Sequence, residues 1–274
     1  MRYLIAIFIA GLLMTVMNFM SGSNDNKFTI MATTTTRDSG LLPHLITELE
    51  KDTGLNINIV AFGTGKVLRS AMDGNADIII VHDTLAELSF MNDDYGVERY
   101  PLMQNDFVIV GPADDPAKIS SSKSVNEAFL KIMNSGSPFV SRGDESGTHK
   151  AEKRILENAK VKPDVLSSDQ YIITGSGMGR TLTIASEKSA YVLTDNATWL
   201  SFNNKGILKI LYDDDPAFKN IYSVITINPN LFGHISRKNQ ELAMNWLKSS
   251  KAAKTIENFQ SSGRPVFKPL LIVK

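Results

Sequence analysis

Four short loops of this chain carry an unusual concentration of hydrogen-bond donors. Each follows an apolar, strand-like run, precedes a helical pattern and combines glycine with serine or threonine; they span residues 33–40, 63–65, 141–148 and 175–179. At a helix N-terminus the first N–H groups lack internal partners, and the helix dipole adds partial positive charge. One such loop is an ordinary helix cap, but four of them, one containing Arg142, predict an anion-binding site.

The donor-rich character of these loops suits an anion that carries no proton. Arg142 adds a fixed planar charge with several N–H groups. Tungstate, molybdate and sulfate dianions only accept hydrogen bonds, whereas phosphate at neutral pH keeps a proton and gains from a carboxylate acceptor. Asp38 and Asp144 are the obvious carboxylates, and we interpret both as bracing or capping their loops. A tetrahedral oxyanion is therefore predicted, and its identity stays open at this point.

Alternating strand and helix patterns predict the scaffold of these loops. Period-two and β-branched runs indicate strands, and apolar residues at helical spacing indicate helices. The predicted strands span residues 28–32, 57–61, 78–81, 107–110, 139–140, 171–173, 191–193 and 221–227, and the predicted helices lie around residues 41–49, 67–72, 125–133, 148–159, 181–187, 242–247 and 252–256. This order predicts an α/β fold with mostly parallel sheets and flanking helices, whose loops gather at the carboxyl ends of the strands.

Two segments are predicted to cross between lobes. One is the extended stretch 105–112, which ends at a glycine and a proline, and the other runs from the acidic turn at 213–216 into the strand near residue 221. A discontinuous lobe with two crossings is the plan of hinged binding proteins. The predicted first lobe holds residues 27–109 plus 222–274, and the second holds 110–221.

The N-terminus and the composition indicate an exported protein. Arg2 is the only charged residue before Asp25, residues 3–20 are almost entirely apolar, and small residues follow at 21–23, which predicts a signal peptide over 1–23. An uncleaved membrane anchor is the alternative, since the apolar run is nearly long enough to span a bilayer. The chain has no cysteine, so neither disulfides nor a cysteine-linked lipid is available. A soluble, periplasm-like location is predicted.

Charge and motif content argue against several other functions. The 29 basic residues balance the 29 acidic ones, so the chain lacks the broad positive field typical of nucleic-acid binding. Residues 175–179 lack the central serine of a nucleophile elbow. His149 and Glu152, one helical turn apart, are interpreted as a surface pair, because a metal site needs further ligands. We expect no catalysis, no metal and no cofactor. Two other functional classes are less consistent with the sequence. An enzyme with a phosphate pocket would need a nucleophile and a base beside Arg142, and a sensor held in the membrane would need an output domain.

The loop motifs together resemble the periplasmic tungstate-binding proteins of ABC importers. The resemblance covers essentially the whole chain after the predicted signal peptide at 1–23. It rests on motifs that occur in the same order: TTTT at 33–36 with DSGLL at 38–42, GTG at 63–65, VHD at 81–83 followed by Glu87, NDFVIVGP at 105–112, SRGD at 141–144 with SGTH at 146–149, GMG at 177–179 with TL at 181–182, and LTD at 193–195.

This resemblance implies a fold, a site and partners. The fold would be a two-lobe, class II periplasmic binding protein with the oxyanion in the cleft between lobes. The implied ligand-binding residues are Thr34, Thr35, Thr36, Gly63, Thr64, Arg142, Ser146, Thr148, Gly177, Met178 and Gly179. Arg142 would favour the larger tungstate, although the family has a serine after three threonines and one more residue before Asp38, which leaves open which threonine touches the anion. The implied partners are tungstate or molybdate and an ABC permease in the membrane, with the binding protein as a monomer.

Overall fold

The structure is a computed structural model that describes residues 28–270, so the signal peptide predicted over 1–23 lies outside the described residues. Within 28–270, no helix is long and apolar enough to cross a membrane. Strands and helices form a mixed α/β fold with two groups of strands that share one long strand. The predicted α/β class is therefore confirmed.

The strands and helices have the following bounds. The strands are β1 (Phe28–Thr33), β2 (Ile57–Phe62), β3 (Ile78–Val81), β4 (Gly96–Pro112), β5 (Phe139–Ser141), β6 (Tyr171–Ile173), β7 (Val192–Asp195), β8 (Leu208–Tyr212), β9 (Lys219–Ile227), β10 (Gln260–Ser261), β11 (Arg264–Pro265) and β12 (Lys268–Pro269). The helices are α1 (Thr34–Asp38), α2 (Leu41–Thr53), α3 (Thr64–Met72), α4 (Thr84–Asn92), α5 (Val125–Asn134), α6 (Gly147–Asn158), α7 (Met178–Glu187), α8 (Asn196–Ser201), α9 (Arg237–Leu247) and α10 (Ser250–Asn258). Every predicted strand and helix is present, whereas α1, α4, α8, β8, the short strands β10 to β12 and the first half of β4 were not predicted.

The first lobe is built on β1, β2, β3 and β9 with the first half of β4. β1 pairs in parallel with β2 and β3, while β9 runs antiparallel to β3 and β4. Apolar faces of α2, α9 and α10 pack on one side of this sheet and α3 on the other. Thr33 and Phe62 are partners in the β1–β2 register, so the loops after these two strands leave the same edge of the sheet.

The second lobe is built on β5 to β8 with the second half of β4. β5 and β6 pair in parallel, and their last residues, Ser141 and Ile173, are register partners. β7 and β8 run antiparallel to β4. Helices α5, α6 and α7 cover this group of strands with buried apolar faces. The sheets are thus mixed where mostly parallel pairing was predicted, because the chain returns through β4 and β9 as antiparallel strands.

The long strand β4 joins the two lobes. Its residues 96–106 pair with β9, and its residues 107–112 pair with β7 and β8. The two crossing strands are hydrogen-bonded to each other at the passage, where Asn105 is the register partner of Asn220 and Asp106 that of Lys219. The predicted strand at 107–110 is therefore only the second-lobe half of β4. The connection between lobes is a two-stranded ribbon.

Candidate functional site

Loops from the two lobes meet in the cleft. A Cβ atom built on Gly63, after β2, would lie 3.6 Å from the Cβ of Ser146, at the start of α6. A Cβ built on Gly65 would lie 3.2 Å from the carbonyl oxygen of Glu145. A side chain at 63 would touch the opposite loop and one at 65 would crowd it, so glycine at these positions allows the backbones to approach. The two lobes are therefore in contact across the cleft, as expected of a closed arrangement.

The third and fourth donor loops lie side by side within the second lobe. The Thr174 hydroxyl, after β6, donates to the carbonyl oxygen of Arg142 at 3.3 Å. Gly143 has a φ of +60° and packs against Ile173, so a side chain there would be strained and would collide. The loop carrying Arg142 is held in place by its neighbour from β6.

Five buried polar atoms of these loops have no hydrogen-bond partner, and one of them is the Ser141 hydroxyl at the end of β5. The other four are the hydroxyl oxygens of Thr33, Thr64 and Thr148 and the Nε of Arg142. All four can donate a hydrogen bond. Buried polar groups in folded proteins are nearly always paired, and leaving one unpaired costs about 1–3 kcal/mol. Two lie in the first lobe and two in the second, so an acceptor-rich ligand bound in the cleft would satisfy donors of both lobes.

Arg142 is fixed by a carboxylate on its own loop. One of its terminal nitrogens lies 2.6 Å from Oδ2 of Asp144, while Oδ1 of Asp144 accepts from the backbone N–H of Ser146. Both oxygens of Asp144 are therefore engaged, in agreement with its interpretation as a bracing residue. Asp38 is exposed and pairs with Arg37. The Arg142 side chain is only 6% exposed, so its free Nε–H is held in a preset direction.

The threonine loop is more structured than predicted. Residues 34–38 form the short helix α1, and the Thr36 hydroxyl donates to the carbonyl oxygen of Thr33. The Thr35 hydroxyl donates to Asp195, while Thr34 is partly exposed. Thr33, which sequence reasoning did not select, supplies the unpaired buried hydroxyl. The sequence feature that could have identified Thr33 is its position at the end of β1, where the chain leaves the edge of the sheet.

The remaining predicted residues divide into backbone and capping roles. Ser146 caps α6, since its hydroxyl accepts from the N–H of His149. The Met178 side chain is buried in the apolar core of the second lobe. Only its backbone N–H is left for a ligand. Gly177 and Gly179 are exposed, and nothing lies within 4 Å of a Cβ built on either. The structure thus brings Gly63, Thr64, Arg142, Ser146 and Thr148 together and leaves the 177–179 loop more open.

A buried histidine, also missed as a site residue, lies between a crossing strand and helix α6. His82 follows β3, stacks on Tyr222 with ring centroids 4.7 Å apart, and places Nδ1 2.7 Å from Oδ1 of Asn220. Burial lowers the pKa of His82 below its ordinary value, so the ring is neutral at physiological pH. The ring also faces Gly147, the first residue of α6, where a Cβ would lie 2.4 Å from Cε1 and 2.6 Å from Nε2. His82 therefore makes close contact with the helix that carries Thr148.

A polar network behind the cleft ties the two crossing strands to the threonine loop. Asn220 donates to Asn105 at 2.7 Å, and Asn105 donates to Asp195 at 3.3 Å. Asp195, fully buried, also accepts from the hydroxyls of Thr35 and Thr198. Because Asp195 ends β7 and Thr35 belongs to α1, this carboxylate links the second lobe to the first.

An ion-pair cluster provides a further contact between the lobes. The Asp83 side chain, 4% exposed after β3, accepts from Lys150 at 3.0 Å and lies 3.5 Å from Arg154. Both cations belong to α6. Asp83→Asn is expected to weaken ligand binding about fivefold, because partly exposed ion pairs contribute roughly 1 kcal/mol and this one forms only when the lobes close. Calorimetric titration would measure the change.

The control for Asp83→Asn is Lys153→Gln. Lys153 lies on the same helix, but its ion pair is with Glu145 and stays within the second lobe. This variant should bind as tightly as the parent. Equal affinities for all three proteins would mean that the Asp83 cluster plays no part in closure.

A two-lobe α/β fold with ligand-directed donors at the lobe interface defines the class of periplasmic binding proteins. A family model described as a PBP superfamily domain matches residues 21–248, and the chain belongs to this superfamily. The tungstate-binding protein TupA of Peptoclostridium acidaminophilum is 39% identical over 245 residues, covering 88% of this chain and 85% of that protein.

Comparison with solved structures agrees with this family assignment. The tungstate-binding protein TupA of Desulfovibrio alaskensis G20 is 37% identical, with a TM-score of 0.79, and the match covers 89% of this chain and 99% of that one. A structure described as the tungstate ABC transporter from Geobacter sulfurreducens is 36% identical, with a TM-score of 0.77 and coverages of 85% and 98%. The predicted two-lobe periplasmic binding protein fold and the predicted resemblance are confirmed.

Proposed function

We propose that this protein is an extracytoplasmic solute-binding protein that captures tungstate and delivers it to the permease of an ABC transporter. One observation carries the proposal: four buried donors without partners belong to loops of both lobes, and these loops meet at the cleft. An anion that only accepts hydrogen bonds would pair them all. Tungstate is chosen among such anions because relatives at 37–39% identity are tungstate-binding proteins.

The mechanism follows from the contacts across the cleft. In the open form the anion meets Arg142 and Thr148 on one lobe and Thr33 and Thr64 on the other. Pairing with both sets favours the closed form, since a ligand shifts an equilibrium only by its difference in affinity for the two states. Closure then adds the contact between His82 and Gly147. The closed form is the one that we propose the permease recognises.

The proposal includes the organisation and location of the protein. Export through residues 1–23 would place it in the periplasm, either released by cleavage or held by an uncleaved anchor. The lobes would comprise 27–109 plus 222–274 and 110–221. We propose that it acts as a monomer, without catalysis, cofactor or metal. Among the described residues, no group of three or more His, Cys, Asp or Glu side chains is arranged to hold a metal ion.

The main alternative is a carrier of another tetrahedral oxyanion: molybdate, sulfate or phosphate. Phosphate is disfavoured because both oxygens of Asp144 are already engaged and Asp38 is exposed. Molybdate has nearly the same size and charge as tungstate and is the closest competitor.

Calorimetric titration of the protein with tungstate, molybdate, sulfate and phosphate tests the proposal. The expected result is tight tungstate binding, weaker or equal molybdate binding, and weak or no binding of sulfate and phosphate. Tight phosphate binding would instead assign Asp144 a proton-accepting role and make the protein a phosphate carrier. If none of the four bound, the proposed ligand class would be wrong.

A further inference from the structure

Glu152 is a buried carboxylate next to the site that the proposed mechanism does not use. It lies on α6 four residues after Thr148, so the two side chains are on the same helical face, one turn apart. The interpretation of Glu152 as a surface residue is wrong, because it is only 1% exposed. Among the described residues no cation forms an ion pair with it, since the nearby Arg142 is paired with Asp144.

The surroundings of Glu152 disfavour its charged form. The groups that face it are Tyr171 from β6, Ser141 from β5, and Asp144 and Arg142 from the following loop. The pKa of Glu152 is raised to about 7, chiefly by burial and also by the negative charge of Asp144. The hydrogen bond from Tyr171, the nearby Ser141 hydroxyl and the positive charge of Arg142 oppose this rise. The carboxyl group is therefore near the midpoint of its titration at neutral pH.

We propose that oxyanion binding is coupled to the uptake of one proton by Glu152. This inference rests on the proposed function. A dianion held by Arg142 and Thr148 would place two negative charges about one helical turn from the carboxylate, and like charges at that separation disfavour ionisation. In the coupled step the ionised carboxylate takes a proton from solvent as the anion binds. The anion keeps all its bonds, and no other group changes protonation.

The structure provides a route for this proton. The Tyr171 hydroxyl donates a hydrogen bond to Oε1 of Glu152. Tyr171 also lines a solvent-accessible cavity of about 670 Å³, together with His149, Lys153 and Ile173. Tyr171 can pass its proton to Glu152 and regain one from water in the cavity. The buried carboxylate can thus exchange protons while the cleft is occupied.

The coupling gives the affinity a defined pH dependence. Below about pH 6 Glu152 is already protonated in the empty protein, so binding takes up no proton and affinity is greatest. As pH rises through 7, binding requires proton uptake and affinity falls, by up to about tenfold for each pH unit. The pKa values of His82 and His149 are both lowered by burial, so between about pH 7 and 8.5 both rings stay neutral and do not contribute.

Titration calorimetry with tungstate from about pH 7 to 8.5, in buffers of different ionisation enthalpy, measures the protons taken up. The parent protein should take up as much as one proton per anion and lose affinity with rising pH. Glu152→Gln should take up none and bind with a pH-independent affinity close to the low-pH affinity of the parent. Glu157→Gln, an exposed carboxylate of the same helix, should behave like the parent.

A second variant makes the test independent of how well Glu152→Gln folds. Tyr171→Phe removes a hydrogen bond that favours the ionised carboxylate, so the loss of affinity should begin at a higher pH. Tungstate binding without proton uptake in the parent, or equal proton uptake in Glu152→Gln, would overturn this inference and leave the proposed function intact. Failure of every oxyanion to bind the parent would overturn both.

Discussion

Arg142→Ala is expected to weaken oxyanion binding about 100-fold. Charge-assisted hydrogen bonds are worth about 1.5–3 kcal/mol each, which corresponds to roughly 10- to 150-fold in affinity. The upper end is expected because the substitution also frees Asp144, whose partner is Arg142 at 2.6 Å. An unpaired carboxylate beside the site would repel the anion. Calorimetric titration with tungstate at fixed salt would measure the loss.

Two further variants separate these contributions. Arg37→Ala removes the same charge from the neighbouring threonine loop, but Arg37 is exposed and pairs with Asp38, so affinity should be nearly unchanged. Arg142→Ala combined with Asp144→Asn should recover part of the affinity, because the repulsion is removed while the lost donors are not replaced. If Arg142→Ala alone bound like the parent, the anion would have to lie elsewhere.

Gly147→Ala is expected to reduce affinity roughly 10- to 100-fold without unfolding either lobe. The new Cβ would lie 2.6 Å from Nε2 and 2.8 Å from Nδ1 of His82. The His82 ring cannot easily move, since it is buried, stacked on Tyr222 and hydrogen-bonded to Asn220. Overpacking of this kind typically destabilises a structure by about 1–3 kcal/mol, and only the closed form is destabilised here. Small-angle scattering should detect reduced compaction with tungstate.

Gly233→Ala is the matched control for this prediction. Nothing lies within 4 Å of a Cβ at Gly233, so the same substitution there should leave affinity and compaction unchanged. A double-mutant cycle adds a sharper test. In a His82→Ala background, Gly147→Ala should have little further effect, because the ring it collides with is gone. Additive effects of the two substitutions would show that His82 and Gly147 do not meet in the bound state.

The donor loops were predictable from sequence because their chemistry is local. A strand, a glycine-containing loop and a helix start together specify where free N–H groups must be, and the structure places the loops around Thr64 and Arg142 in one cleft. The particular hydroxyls were not predictable in the same way. Residues 33–36 have identical side chains. Only the turn of α1 decides that the hydroxyls of Thr35 and Thr36 form hydrogen bonds within the protein while that of Thr33 does not.

The long strand β4 was predicted only in part because proline interrupts its pattern. Pro101 lies inside the strand, and proline within a strand usually indicates an edge or a bulge. The register between β4 and β9 does shift between Pro101 and Met103, so the proline sits at an irregularity. The ladder resumes beyond it because β9 supplies the partner. Such long-range pairing is not encoded in the local sequence, and the same limit explains why antiparallel crossings were missed.

His82 and Glu152 illustrate a different limit. His82 occurs in one of the family motifs and Glu152 in a candidate surface pair, but their roles depend on which groups surround them. His82 meets α6 from the other lobe, and Glu152 meets Tyr171 from a strand 19 residues away. Sequence spacing suggested a surface pair for Glu152 because His149 is one turn earlier. Burial, which reverses that interpretation, becomes visible only once the strands are packed under the helix.

The paired crossing strands determine what kind of motion the lobes can make. β4 and β9 remain hydrogen-bonded to each other where they pass between the lobes, at Asn105 with Asn220 and Asp106 with Lys219. Such a ribbon resists stretching, because the ladder would have to break, but it bends and twists at low cost. The lobes can therefore change their angle while their separation at the passage stays fixed. Each closure should therefore return the donors of the two lobes to the same relative positions, so that the spacing of the binding site is reproducible.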